Sequence, residues 1–246
     1  MRVNSEQAFV LHTRAYRETS QLVDIFSRHH GRLRLVAKGS RGGSSKKTAK
    51  ALMPFTAYLT SWSGKGELKN LLSAEAISVN PLLRGERLYS GFYLNELLIR
   101  LLAEHDPHEE LFDHYQQAIE QLVEGGCLET LLRQFEARLL EEIGYGLVIE
   151  ADAETGEQLR ADAWYWYDPE QGLAERLPPA ASQHKSAWFC GRHLQAIAEN
   201  DLTKKEFRRD AKRLLRLALK PHLGDKPLQS RELLRSLQGQ TLQGQT

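Results

Sequence analysis

The sequence predicts an α+β protein in which a β-rich first part is followed by a mainly helical second part. Two observations lead to this prediction. The first eighty residues contain five short apolar runs of strand-like composition, separated by turn residues. After Pro81 the apolar residues recur instead at helical spacing. With 246 residues, the chain is long enough for two compact domains.

The strands are expected at 7–12, 20–26, 32–37, 55–62 and 67–79. In the third strand Leu33 and Leu35 alternate with two arginines, so the leucines are expected to face a core while Arg32 and Arg34 face outward. Five short strands at this spacing favour a small closed barrel, and the five-stranded OB-fold is the commonest kind. We therefore expect an OB-fold domain over residues 1–80.

The predicted fourth strand carries three aromatic residues, Phe55, Tyr58 and Trp62. Phe55 and Trp62 lie an odd number of positions apart, so a regular strand directs them to opposite faces and could expose one of them. An exposed ring beside basic residues can stack on an unpaired base. The alternative is that each ring belongs to the core.

The second domain is expected to be helical over residues 81–237, with helices at 88–102, 109–123, 128–143, 191–198, 204–219 and 230–237. The third helix is expected to end at Gly144, since glycine readily takes the left-handed conformation that closes a helix. Residues 150–179 form a predicted acidic, irregular insert with one strand at 164–167. Residues 238–246 are expected to be a disordered tail.

The charged residues are segregated along the chain. The net charge is only +1, yet residues 25–66 contain nine basic residues and no acid. Residues 104–175 contain 19 acids and three arginines, and residues 201–235 hold eleven basic and five acidic residues. Two basic regions of this kind suit a polyanionic partner. The alternative is an ordinary solvated surface.

Two basic surfaces are therefore candidate nucleic-acid contacts. A glycine-rich and lysine-rich segment at 39–50 is expected to be a flexible loop that grips a phosphate backbone without reading sequence. The predicted helix at 204–219 is basic on one half of its circumference and apolar on the other, although an ordinary amphipathic helix also explains the apolar half. The predicted DNA-binding residues are Arg32, Arg34, Lys38, Arg41, Lys46, Lys47, Lys50, Lys65, Lys204, Lys205, Arg208, Arg209 and Lys212.

Catalytic and metal signatures are missing from the sequence. The glycine and lysine cluster does not fit a phosphate-binding loop, and there is no serine nucleophile elbow. Two cysteines cannot form a four-thiolate zinc site, and His105 with His108 fits a polar helix boundary better than a metal pair. We expect no cofactor and no metal. No apolar window is long enough for a membrane span, and no signal peptide is evident, so a cytoplasmic location is expected.

The order and spacing of several short segments resemble one known family. They are 8–11, 31–39, 88–91, 95–98, 133–136, 144–146, 189–192, 219–224 and 226–233. Together they resemble RecO, the bacterial recombination mediators of the RecF pathway, over nearly the whole chain. The resemblance implies an N-terminal OB-fold, a helical C-terminal domain and no catalytic activity of the hydrolytic kind. Some relatives carry a four-cysteine zinc site between the helices, but residues 150–179 contain no cysteine.

The resemblance also implies partners. The family binds single- and double-stranded DNA, anneals complementary strands and, with RecR, helps load RecA onto DNA coated with single-stranded-DNA-binding protein. It contacts the acidic C-terminal tail of that protein. From these DNA-related functions we expect a cytoplasmic location in association with the nucleoid. The Arg-x-Phe-Glu segment predicts a tail site at Arg133, Phe135, Leu139 and Leu140. The alternative is that Arg133 only pairs with Glu129 or Glu136 on its own helix.

Three other functions remain open from the sequence. An OB-fold RNA-binding protein would prefer ribose over deoxyribose in the same sequence. A nuclease using the middle carboxylates would cleave in the presence of magnesium. A structural adaptor would show no salt-sensitive DNA binding.

Overall fold

The computed structural model describes residues 2–40, 52–177 and 187–233. Packing divides the chain into two compact units. The first contains residues 1–126 and 227–246, and the second contains residues 127–226.

The first unit begins with the predicted five-stranded barrel. Its strands are β1 (Arg2–Tyr16), β2 (Ser20–Ser27), β3 (Gly31–Ala37), β4 (Ala57–Ser63) and β5 (Lys69–Ala76). The barrel closes in the order β1-β2-β3-β5-β4, with β4 pairing back to β1. All neighbours are antiparallel except β3 and β5, which run parallel. This arrangement confirms the OB-fold. β1 is much longer than predicted because its two halves pair with different strands.

Leucine, valine and aromatic side chains fill the barrel, and Leu33 and Leu35 lie in this core as predicted. The expectation that the fourth strand could expose a ring is wrong. Trp62 and Tyr58 both pack inside the barrel. Phe55 precedes β4 at a φ of 67° and is buried, with its ring against Phe92.

Two helices pack against the outside of the barrel, α1 (Gly85–Leu101) and α2 (Glu109–Glu124). The ring of Phe112 in α2 lies 5.3 Å from Phe9 and 5.5 Å from Phe26 on the barrel. The Tyr115 hydroxyl donates to Asn95 Oδ1 at 2.6 Å, and Asn95 Nδ2 donates to the Leu11 carbonyl at 2.7 Å. By packing, these helices belong with the barrel, although the change from strands to helices lies near residue 80.

The end of the described chain returns to α1. The Glu96 carboxylate accepts hydrogen bonds from the backbone amides of Gln229 and Ser230, both at 3.0 Å. A helical segment follows at residues 229–233. The rest of the predicted helix at 230–237 and the predicted tail at 238–246 lie outside the described residues.

The second unit contains α3 (Leu128–Glu142), β6 (Trp164–Asp168), β7 (Gly172–Arg176), β8 (Trp188–Cys190), α4 (Gly191–Ala198) and α5 (Lys205–Leu223). The three strands form an antiparallel sheet in the order β7-β6-β8. Gly144 follows α3 with a φ of 82°, as its predicted capping role requires. The sequence did not predict β7 and β8, since both are short and lack a clear alternation.

Candidate nucleic-acid interface

Three arginines of the acid-free segment are paired with acids from elsewhere in the first unit. The guanidinium of Arg28 donates two hydrogen bonds to the Asp113 carboxylate, at 2.5 and 2.8 Å. These hydrogen bonds raise the pKa of Arg28 above its ordinary value, so it stays charged. The absence of acids along the sequence is therefore not an absence of acids in space.

Arg32 faces outward from the barrel core as predicted, but neighbouring segments of the first unit cover it. Although it lies on the outer side of β3, it is buried, with Nε donating to the Leu102 carbonyl at 3.0 Å and Nη1 to Glu104 at 3.1 Å. Gly31 permits this close approach, since a Cβ there would lie 1.9 Å from the Asp106 carbonyl oxygen. Arg32 thus joins the segment after α1 to the barrel.

Arg34 is paired with an acid, as Arg28 and Arg32 are, but it is not buried. Its Nε donates to Asp24 at 2.8 Å, while about a third of its side chain remains exposed. Its Nη2 also lies 4.0 Å from Glu104, so two acids balance the charge of this half-exposed arginine.

Several exposed cations of the barrel lie in or beside its connections. Lys38 follows β3, and Lys65 lies in the turn between β4 and β5; both are exposed. Sequence reasoning missed Arg14 and Arg17, which are also exposed and flank the turn between β1 and β2. Because Gln21 pairs with Ala37, Arg17 and Lys38 lie at the same end of the barrel. Arg41, Lys46, Lys47 and Lys50 lie outside the described residues.

In the second unit, α5 carries a continuous stripe of exposed cations. Its members recur every three or four residues and are Lys205, Arg209, Lys212, Arg216 and Lys220. The opposite face, which includes Phe207, Leu214 and Leu215, is buried as predicted. Lys204, just before the helix, is exposed and lies 5.0 Å from the centre of the Phe207 ring. We call the five helical cations the α5 stripe.

Two further basic residues of α5 form hydrogen bonds within the second unit. Arg208 donates to the carbonyls of Leu202 and Thr203 at 2.8 and 2.6 Å, and its Nε lies 3.3 Å from Glu129. Arg213 donates to Asp210 at 2.7 Å and to the Trp188 carbonyl at 2.8 Å. Periodicity alone does not separate these two from the exposed stripe.

The four residues predicted to hold the acidic tail are all buried. Arg133 is 5% exposed and donates to Glu136 at 2.5 Å, which is one of the pairings expected as the alternative. Phe135, Leu139 and Leu140 belong to the interior of the second unit. Their role toward the tail stays a prediction, but these side chains do not present a surface that a peptide can touch.

Two comparisons with known proteins decide the family. A model described as "Recombination protein O N terminal" matches residues 1–80, and one described as "Recombination protein O C terminal" matches residues 82–232. The chain is 44% identical over 235 residues to "DNA repair protein RecO" of Methylococcus capsulatus, covering 96% of this chain and 94% of that protein. The protein of the same name from Serratia proteamaculans is 46% identical over 231 residues, covering 94% and 93%.

The chain belongs to the RecO family. Its role therefore lies in DNA repair and recombination, and membership of the family implies DNA-related interactions. RecO relatives are named as DNA repair proteins rather than by an enzymatic activity.

The described ranges, 2–40, 52–177 and 187–233, also bear on metal binding and on membrane insertion. Within them, no three His, Cys, Asp or Glu side chains are grouped as a metal ion requires. None of the helices there combines the length and apolar composition of a membrane-spanning segment.

Proposed function

We propose that this RecO family member is a non-catalytic recombination mediator. It binds single- and double-stranded DNA, anneals complementary strands and, with RecR, helps load RecA onto DNA coated with single-stranded-DNA-binding protein. The observation that supports DNA binding most directly is the α5 stripe, whose five cations are exposed along one side of a helix. A nucleoid-associated location in the cytoplasm follows from this function.

Phosphate neutralisation supplies most of the affinity in this proposal. Each lysine or arginine that meets a phosphate releases condensed counterions, which favours binding at low salt without sequence preference. The exposed cations at the barrel end, Lys38 and Lys65 with Arg14 and Arg17, offer a second such surface. Loops between strands 1 and 2 and between strands 4 and 5 are regular nucleic-acid contacts in OB-folds. Arg32 contributes to the fold instead.

Annealing requires little more than these surfaces. Two complementary strands repel each other through their phosphates, and a cationic surface lowers that repulsion. If the contacts are to phosphates only, the bases stay free to pair. No catalytic residue is required by this account.

For the protein partners we propose RecR and the acidic tail of single-stranded-DNA-binding protein. Tail carboxylates need a cation, and an apolar terminal residue needs a pocket beside it. Arg133, Phe135, Leu139 and Leu140 are buried in α3. We therefore propose that they stabilise the packing of α3 and do not contact the peptide directly. Exposed cations would make the direct contacts.

The experiment is a fluorescence-anisotropy titration of single-stranded DNA across salt concentrations. The variant in which Arg34, Lys38 and Arg41 are all replaced by Ala should bind every DNA sequence more weakly by a similar factor. Its slope of log affinity against log salt should become shallower by roughly 0.7 per lost phosphate contact. An unchanged slope in the folded variant would place the DNA surface elsewhere. Tighter binding to RNA of the same sequence would favour an RNA-binding protein, and magnesium-dependent cleavage would favour a nuclease.

A further inference from the structure

A cavity of about 300 Å³ lies between α2 and the outside of the barrel, within the first unit. The barrel contributes buried side chains to it, and the segment that follows β5 contributes exposed ones. α2 contributes residues that recur at helical spacing. We call this cavity the α2 groove, and its main apolar lining residues are Phe55, Ala57, Ile77, Val79, Ile119 and Val123.

The segment after β5 is fixed in place although it exposes apolar side chains. The Ile77 amide donates to the Ala57 carbonyl at 2.9 Å, and the Ala57 amide donates to Ser78 Oγ at 2.9 Å. Ile77 is nevertheless 47% exposed and Val79 is 92% exposed, and Val123 on α2 is 58% exposed. Several exposed apolar side chains around one cavity, rimmed by polar residues, are typical of a surface that a partner covers.

The polar rim of the groove on α2 is acidic. Ile119 and Val123 line the groove one helical turn apart, and Glu120 and Glu124 lie beside them at the same spacing. Glu120 Oε1 accepts a hydrogen bond from Gln116 Nε2 at 3.0 Å. Among the described residues, neither glutamate has an ion-pair partner, and no lysine or arginine lines the groove. The groove therefore combines apolar surface with uncompensated negative charge.

This charge distinguishes between possible occupants of the groove. The phosphates of DNA and the carboxylates of an acidic tail would both be repelled by Glu120 and Glu124. A second copy of the chain, bound by a two-fold axis, would set this surface against itself and bring the glutamates of both copies together. A protein segment with cations beside its apolar residues complements both the apolar lining and the acidic rim.

We propose that the α2 groove binds an amphipathic helix of a protein partner that carries lysine or arginine beside its apolar residues. Such a helix presents apolar side chains and cations in neighbouring rows, which match the two rows on α2. Burial of the apolar residues supplies the affinity, and the ion pairs with Glu120 and Glu124 set the orientation. The interaction requires no DNA, so it goes beyond the proposed function.

The test uses two designed helical peptides of equal length, each labelled with fluorescein. Both carry leucines along one face, and beside these leucines the first peptide carries lysines where the second carries glutamates. Fluorescence anisotropy with the full-length protein should show binding of the lysine peptide. The glutamate peptide should bind about tenfold more weakly or not at all, because its carboxylates meet the acidic rim.

Reversing the acidic rim should reverse this preference. Glu120→Lys with Glu124→Lys should bind the glutamate peptide more tightly than the lysine peptide, a gain that loss of folding does not produce. The matched control is Glu157→Lys with Glu170→Lys, which changes the net charge equally at exposed acids of the second unit. It should keep the wild-type preference.

A second pair of variants tests the apolar lining. Val79→Ser with Val123→Ser should weaken binding of the lysine peptide about tenfold, because two side chains that the peptide buries are lost. Both valines are exposed in the free protein, so the fold should be retained. Val148→Ser removes a valine of the second unit that is 69% exposed and should bind the peptide as the wild type does.

Equal affinity of the wild type for the two peptides, or an unchanged preference in the charge-reversed variant, would overturn the inference. Self-association in sedimentation experiments that disappears in Val79→Ser with Val123→Ser would overturn it as well, by assigning the groove to a second copy. Failure of the lysine peptide to bind would contradict the inference but leave salt-sensitive DNA binding, and with it the proposed function, intact.

Discussion

The barrel and α5 are both rich in positive charge along the sequence, but their cations are used differently. In the barrel, Arg28 and Arg32 bind Asp113 and Glu104, which lie more than seventy residues further along the chain. In α5, five cations point to solvent from one side of the helix. Among the described residues, these barrel arginines bind acids of their own unit, whereas the five cations of the α5 stripe are exposed along one side of a helix.

This difference shows how a charge run should be interpreted. A stretch without acids shows only that its basic residues have no acidic partner close in sequence. In a strand, such residues can still form ion pairs with acids from distant segments of the chain. A helical stripe is more informative, because residues three or four positions apart share a face, although the sequence does not show which of its cations bond within the fold. The α5 stripe was therefore easier to predict than the state of the barrel arginines.

The largest effect is expected from reversing a buried charge in α3. Arg133→Glu removes the buried guanidinium that donates to Glu136 and places a second carboxylate beside it, so two like charges meet in the interior. We expect the free energy of unfolding to fall by about 3–5 kcal/mol, measured by urea denaturation. The matched variant is Arg138→Glu, which breaks the exposed pair with Glu141 and should cost about 1 kcal/mol or less. Similar losses in both variants would contradict the buried role of Arg133.

A smaller effect is expected from Arg32→Ala in the barrel. The substitution removes the buried hydrogen bonds to the Leu102 carbonyl and to Glu104, so the free energy of unfolding should fall by about 2–3 kcal/mol. The slope of DNA affinity against salt should not change in the folded fraction. Lys38→Ala is the control and should show the reverse, with stability near that of the wild type and a shallower slope. A shallower slope in Arg32→Ala would show that this arginine reaches DNA after all.

The barrel also contains a buried acid whose effect depends on pH. Burial raises the pKa of Glu6, but hydrogen bonds from the His29 amide and the Ser27 hydroxyl outweigh it, so the pKa lies below its ordinary value of 4.5. A carboxyl with a lowered pKa stabilises the folded state above its ordinary pKa, and this stabilisation is lost as the pH falls through the lowered value.

Glu6→Gln should therefore cost about 1–2 kcal/mol at pH 7, and the difference from the wild type should shrink as the pH falls below about 4.5. Thermal unfolding at a series of pH values measures this difference. Glu67→Gln, in the exposed turn before β5, is the control and should behave like the wild type throughout. A difference for Glu6→Gln that stays constant down to the lowest pH would contradict the role of its charge.

Much of the fold could be predicted from the sequence, because the patterns that indicate strands, helices and helix ends involve neighbouring residues. Alternation in β3 and the helical spacing of α1–α3 and α5 are set by neighbouring residues, and Gly144 ends α3 as its conformational freedom suggests. The burial of Arg32 and Arg133 was not predictable in this way, because it depends on which side chains pack around them. The place of Trp188 opposite Trp166 was missed for a related reason. β8 is three residues long, so the pairing of Trp188 with Trp166 has no signal in the local sequence.

The most direct test of the account is the salt dependence of single-stranded DNA binding in two double variants of the second unit. Lys205→Ala with Lys212→Ala removes two exposed charges of the α5 stripe, and Arg138→Ala with Arg160→Ala removes two charges that pair with Glu141 and Glu175. Both variants lose the same net charge. The account predicts that the first makes the slope of log affinity against log salt shallower by roughly 1.4, at about 0.7 per contact, while the second leaves it unchanged. Equal slopes in the two variants would contradict the claim that exposed cations of α5, rather than net charge, bind the DNA.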